Sequence, residues 1–424
     1  MKEKIIQALA DLNIDKYLIT ETVTESLECF YVKKRLDLKR RTDVTDIAVT
    51  VYHLFEKEGQ KMLGSSEVQI YQGMGKEEVK EALKAAYHAA ALVCNPYYEL
   101  FAGTKEEMIP ATGSFAGHSL EENMKVMTGA LYAADNQQTV FINSAEIFAK
   151  KQTRHIVNSE GVDVGYEVYE VSGEYVVQCV EPQDVETYHS FSYRDADTEA
   201  LQRDVEESLS MTRARANAYQ APPKTGEYAL ILSGEYMRTL FNYYLERSAA
   251  SLVYQKYSNY AIGQNVQGED VRGDALTVYL KAKEPYSREG IPMKDRILME
   301  NGELKTLHSG CRFSYYLGME PTGDYRCISI PVGNTPLEEL KTGPYLHVVR
   351  FSDFQMDSFS GHFSGEIRLA YWCDGENVIP VTGGAVNGSI LKVQNKMTFS
   401  AERYRSSTYE GPLAVRIEGL TQEG

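Results

Sequence analysis

The 424-residue chain carries 44 basic and 60 acidic side chains, a net charge of −16. That balance disfavours nucleic acid or an anionic membrane as its main partner, because both need a positive field. Apolar residues at 43% and charged residues at 25% exclude intrinsic disorder, and no apolar run approaches the ~20 residues that cross a bilayer.

The opening MKEKIIQALADLNID lacks the apolar core of a signal peptide, so a cytoplasmic protein is expected. In chain order, Ile5, Ala8, Leu9 and Leu12 share one face and predict a first helix over 2–12. Residues 16–71 read as extended, with Ile47, Val49 and Val51 alternating and a hairpin turn at 56–61. Val79, Leu83, Ala86, Ala90 and Val93 predict a helix over 76–93, stopped by Asn95-Pro96. A third helix is expected over 120–133, a strand meander over 139–180, and a long helix over 197–215 ending on Arg213 and Arg215. Ala221-Pro222-Pro223-Lys224-Thr225-Gly226 reads as a linker. After it come a short strand, 228–232, and a helix, 234–248, striped by Met237, Leu240, Phe241, Tyr244 and Leu245. Short β-like segments between Gly, Pro, Asn and Asp turns then run to the end. The expected class is α+β: a mixed α/β domain over 1–220, then a mainly antiparallel β domain, barrel- or sandwich-like, over 221–424.

Chemistry-bearing patterns are sparse. The six cysteines contain no CxxC pair and read as reduced thiols; the eight histidines include no pair at helical metal-binding spacing. No phosphate loop and no G-x-S-x-G elbow occurs. His308 with Cys327, and His362 with Cys373, are long-range pairs better read as unrelated residues than as a metal site. Residues 33–41 hold six bases in nine positions and read as a solvated, edge-protecting strand or hairpin. The 30 tyrosines suit half-buried β surfaces and also recognition surfaces.

Five segments together resemble the TldD/PmbA family. They are Asn158-Ser159-Glu160-Gly161, the run Arg288 to Leu304 containing Glu289-Gly290-Ile291-Pro292 and Glu300-Asn301-Gly302, Ser360 to Gly365, Asn377 to Ala385 with Pro380-Val381, and Gly411 to Thr421. The resemblance implies a metallopeptidase-related protein that acts on peptides, with protomers pairing, commonly TldD with a TldE/PmbA subunit. In TldD-type chains it implies a helix bearing H-E-x-x-x-H, whose histidines and a distant cysteine hold zinc while the glutamate serves the attacking water.

This chain departs from that pattern. Asn242, Tyr243 and Arg247 stand where His, Glu and His are expected, residues 190–307 contain no histidine, and residues 401–406 offer no cysteine. Asn is a poor zinc ligand, Tyr is no carboxylate, and Arg carries a permanent charge. The expectation is a TldE/PmbA-like subunit with no catalytic residue and no metal of its own, zinc residing only in a TldD-like partner. Its partners are a TldD-like protomer or a second copy, and a peptide held by backbone pairing to an exposed strand. Gly361, Phe363, Ser364 and Gly365 are candidates for the peptide groove, with a tight internal turn as the other reading of those glycines. An active peptidase with an unrecognised site and a stand-alone homodimeric peptide-binding protein are the alternatives.

Overall fold

The computed structural model describes residues 1–103, 105–218 and 226–422. Helix α1 (Lys2–Asp11) leads into three strands, β1 (Lys16–Val32), β2 (Arg35–Lys57) and β3 (Gln60–Ile70). Helices α2 (Lys76–Ala90) and α3 (Leu120–Ala133) follow, then β4 (Val140–Asn158), β5 (Asp163–Cys179), β6 (Val185–Tyr193) and α4 (Thr198–Ala216). The six strands form one antiparallel sheet in the order β3-β2-β1-β4-β5-β6. Its helices lie where the sequence predicts them, although α2 stops at Ala90, short of the expected 93. Strand β6 is an element the sequence did not announce.

Helix placement on this sheet follows from the apolar stripes. Ile5, Ala8 and Leu9 of α1 and Val79, Leu83 and Ala86 of α2 pack on Ile47, Val49 and Val51 of β2. Met124, Met127 and Leu131 of α3, with Leu201, Val205 and Leu209 of α4, cover the β1, β4 and β5 portion. Helix α2 seats closely because Gly64 lies beneath it; a Cβ there would come within 1.9 Å of the Ala90 carbonyl oxygen.

The expected linker prolines, Pro222-Pro223, lie outside the described residues. Strand β7 (Gly226–Ser233) and helix α5 (Glu235–Arg247) open the second half, joined by Gly234 at φ 65°. Then come α6 (Ala250–Tyr254), β8 (Val278–Lys281), β9 (Arg296–Glu300), β10 (Glu303–Leu304), α7 (Cys311–Leu317), β11 (Cys327–Ser329) and α8 (Leu337–Leu340). The chain continues through β12 (Tyr345–Met356), β13 (His362–Cys373), β14 (Val378–Val381), β15 (Ala385–Ser389), α9 (Ile390–Val393), β16 (Met397–Phe399), β17 (Arg403–Arg405), β18 (Tyr409–Pro412) and β19 (Ala414–Gln422). Two sheets result, ordered β10-β9-β8-β11-β18-β17 and β14-β13-β12-β7-β19-β16, with β15 also on β13. Pairing is antiparallel except for β11 with β18 and β12 with β7.

Helix α5 lies in the core that both sheets share. Met237, Leu240, Phe241 and Tyr244 are buried with Leu230 and Leu232 of β7, Val278 and Leu280 of β8, Leu346 and Val348 of β12, and Val415 and Ile417 of β19. The first sheet meets this half through tyrosines: Tyr98 packs edge-on to Tyr52 at 6.4 Å and to Tyr316 at 6.1 Å, and Tyr316 donates a hydrogen bond to the Pro96 carbonyl at 2.6 Å. Beside them Glu289 accepts from the Cys311 backbone N–H at 2.8 Å, and burial pushes its carboxyl above the ordinary value.

Candidate functional site

Helix α5 buries most of its circumference, and the stripe it leaves accessible is polar. Arg238, Asn242 and Glu246 recur every four residues along it, the spacing that stacks side chains on one helical face. Arg238 Nη1 donates to Asn242 Oδ1 at 2.6 Å, Asn242 Nδ2 donates to Glu246 Oε1, and the Ser358 hydroxyl donates to Glu246 Oε2. Arg238 Nη2 also caps the Arg326 carbonyl at 3.0 Å. Both ends of the Asn242 amide are therefore committed. Burial draws the Arg238 guanidinium below its ordinary range, with Glu246 opposing that shift.

Tyr243 and Arg247 point inward. Tyr243 lies edge-on to Tyr244 at 5.3 Å and to Tyr260 at 6.5 Å. Burial raises its phenol above the ordinary value and Arg247 partly offsets that, so the ring is a neutral phenol at pH 7. Arg247 is only 7% exposed. Its Nη1 donates to the Tyr257 carbonyl at 2.5 Å, its Nη2 donates to Asn259 Oδ1 at 2.6 Å, and its guanidinium carbon lies 5.4 Å from the Tyr260 ring centre. The side chain pins the 257–259 loop to the helix by charge-assisted hydrogen bonds and a cation–π contact.

These residues do not fit zinc. A zinc site needs neutral imidazole, thiolate or carboxylate donors; this set offers an amide already bonded at both ends, a buried neutral phenol and a cation. His308 is the histidine beneath α5, and its Nε2 donates to the Leu245 carbonyl at 2.9 Å. Burial pushes the Cys327 thiol up, which keeps it from being a thiolate. Among the described residues no group of three or more His, Cys, Asp and Glu side chains could hold a metal ion.

The turn before β13 meets this stripe through Ser358. Asp357 accepts from the Phe359 backbone N–H at 2.9 Å and from the Ser360 hydroxyl, and Gly361, at φ 75°, donates its N–H to the Asp357 carbonyl at 2.8 Å. The Phe359 ring is thereby held out, 62% exposed. It packs edge-on to Tyr257 at 5.6 Å, itself 57% exposed. Sequence reasoning singled out Asn242 and the 360–365 turn separately; the structure links Asn242 through Glu246 to Ser358, two residues before that turn. It did not single out Arg238, Glu246 or Tyr257, and it read Ser358 and Phe359 only as part of a Gly/Ser-rich turn. The four-residue recurrence of Arg238, Asn242 and Glu246 was the visible signal for the first two.

The candidate groove residues Gly361, Phe363, Ser364 and Gly365 lie on the turn and first half of β13, inside a paired sheet. From His362 to Leu369 of β13 burial alternates, so Phe363 points into the core, 1% exposed, while Ser364 points to solvent on the opposite face. The backbone is paired on both sides: Phe363 lies opposite Met356 of β12 and Gly388 of β15, and Gly365 opposite Phe354 and Val386. No free edge remains there for a peptide strand. A Cβ on Gly365 would come within 2.6 Å of the Phe351 ring and 2.8 Å of the Asp353 carbonyl oxygen, so this glycine admits neighbours of its own chain.

Fold and site together describe an α+β protein organised around a buried helix that presents an amide at Asn242 and buries a phenol at Tyr243 and a cation at Arg247. Residues 225–424 match the profile of the PmbA/TldA metallopeptidase C-terminal domain. A metalloprotease of Methanothermobacter thermautotrophicus is 23% identical over 362 residues, covering 78% of this chain and 72% of that one. The fold is that of TldE from Thermococcus kodakarensis, with a TM-score of 0.77 at 17% identity and full coverage of both chains. It is also that of a proposed modulator of DNA gyrase from Thermotoga maritima, with a TM-score of 0.76 at 18% identity, again over 100% of both. Residues 225–424 thus carry a C-terminal domain of the PmbA/TldD type, and the whole chain shares the fold of these proteins.

Proposed function

We propose that this chain is the non-catalytic, TldE/PmbA-like subunit that pairs with a zinc-bearing TldD-like protomer and helps hold a peptide for cleavage there. The observation that carries the reading is Arg247. Its buried guanidinium, fixed by the Tyr257 carbonyl and Asn259, stands at a position where the family resemblance places a zinc-binding histidine. A fixed cation there repels a metal ion and also cannot serve as a neutral donor. The Tyr257–Phe359 pair, held out beside it, offers an apolar contact for a peptide side chain. In the described structure all six cysteines are unpaired, in keeping with a reducing cytoplasm.

The test is reconstitution. The chain alone and its complex with a TldD-like protomer are assayed on an unstructured peptide, with and without a chelator. The complex should cleave, the chelator should stop it, and this chain alone should be inert. Phe359→Ala in this chain should lower kcat/KM of the complex by about tenfold, the loss of one aromatic contact, while the complex stays assembled on gel filtration. Zinc-dependent cleavage by the chain alone would refute the reading.

A further inference from the structure

We infer that the outer edge of β2 over residues 35–46 is a docking site for an extended acidic segment of a partner protein, which adds as a strand and places an apolar side chain against α3. This site is separate from the α5 region and does not depend on the role proposed for it.

Three observations converge. First, β3 pairs with β2 only from Ile47 onward, whereas β1 pairs with β2 from Arg35. From Arg35 to Asp46 the other side of β2 has no strand partner among the described residues. Unpaired strand edges bind extended chains by completing the ladder. Second, the layer beneath is unfinished. Helix α3 covers β1 but stops short of β2, leaving a cleft of 520 Å³ lined by Leu27, Cys29 and Tyr31 of β1, Leu36 of β2, and Met124 of α3. Register places Cys29 opposite Lys39 and Tyr31 opposite Leu36, so the cleft opens towards the free edge. Val32, Leu36, Leu38 and Val44 are half-exposed along the same arm. An edge built solely to repel other strands would carry polar residues at those positions.

Third, the charge selects the occupant. Within an acidic chain, 33–41 concentrates six bases. Some are answered internally, as Arg40 is by Glu28 and Arg41 by Glu25 at 3.6 Å. Lys39 and Lys125 on the cleft rim make no ion pair or hydrogen bond among the described residues. A strand alternating carboxylates with apolar residues satisfies both the lysines and the cleft.

The probe is a peptide of about eight residues alternating glutamate and valine, the length of an ordinary strand, with a lysine–valine peptide as control. Binding to the full chain is followed by fluorescence anisotropy and amide hydrogen exchange. The glutamate–valine peptide should bind, slow exchange over 35–46, and weaken with added salt. Lys39→Glu/Lys125→Glu should weaken it at least about fivefold, the sum of two exposed charge contacts. Leu36→Asp, a change at a half-exposed position, should do the same through the cleft. Equal binding of both peptides, no binding, or protection elsewhere overturns the assignment. Concentration-dependent self-association that protects 35–46 also overturns it, in favour of a second copy.

Discussion

Arg247 decides most at the residue scale, because it is a buried cation whose every contact is structural. It holds the Tyr257 carbonyl and Asn259 while stacking on Tyr260. Arg247→Ala should therefore loosen the 257–259 loop and cost about 2–4 kcal/mol, since charge-assisted bonds to partly buried acceptors are lost together. Urea unfolding measures this; a loss below about 0.5 kcal/mol would mean that the loop holds itself. The same geometry predicts that the purified chain retains no stoichiometric zinc after dialysis against a mild chelator. Elemental analysis showing one zinc per chain would contradict the account of Asn242, Tyr243 and Arg247. The chemistry of Asn242, Tyr243 and Arg247 as donors is legible in the sequence, because residue type and helical spacing suffice to judge a donor set. The Glu246–Ser358 link was not, since it joins positions 112 apart through a turn whose direction depends on the packing of β13.

At the scale of elements, local periodicity read well. Apolar stripes in α1 to α5 have a period that survives folding, and the packed faces are the ones the stripes mark. Strand β6 escaped because Val185 to Tyr193 carries Glu, His and Ser among its few apolar residues, and its strand state comes from pairing with β5. Glycines were ambiguous for a related reason: the chain shows that something approaches closely, but not what. At Gly365 the visitor is Phe351, and at Gly64 it is the α2 backbone. Gly64→Ala sets a Cβ against the Ala90 carbonyl oxygen, which is backbone and cannot swing aside. It should lower stability by about 1–3 kcal/mol through overpacking, seen as a drop in the thermal midpoint. Gly365→Leu should likewise destabilise. An unchanged midpoint for Gly365→Leu would reopen that strand as a surface for other chains.

For the whole molecule, acid sensitivity follows from imidazoles that the fold buries uncharged. His347 on β12 sits against the Ser233 hydroxyl at 3.0 Å. Burial lowers its pKa from 6.5 to about 4; Lys341 adds to the shift and Glu338 opposes it. His189 on β6 lies between Thr187 and Ser208 and stacks on Tyr175; burial, helped by Arg350, lowers it to about 3. In both cases the unfolded chain takes up a proton at a pH where the native chain does not. Stability is thus full above pH 6.5 and is lost as pH falls towards the folded value, the direction in which the unfolded state binds more protons. For His347 the window runs from pH 6.5 to about 4 and amounts to about 3 kcal/mol. His347→Gln keeps a polar partner for Ser233 but cannot titrate. Its stability should fall modestly at pH 7, and its decline between pH 6.5 and 4 should be shallower than that of the parent chain by about that amount. Urea midpoints at pH 7 and pH 4.5 for the two proteins measure the difference directly, because carboxylate contributions common to both cancel. Parallel declines would mean that His347 is already protonated in the fold, and the buried neutral imidazole would have to be abandoned.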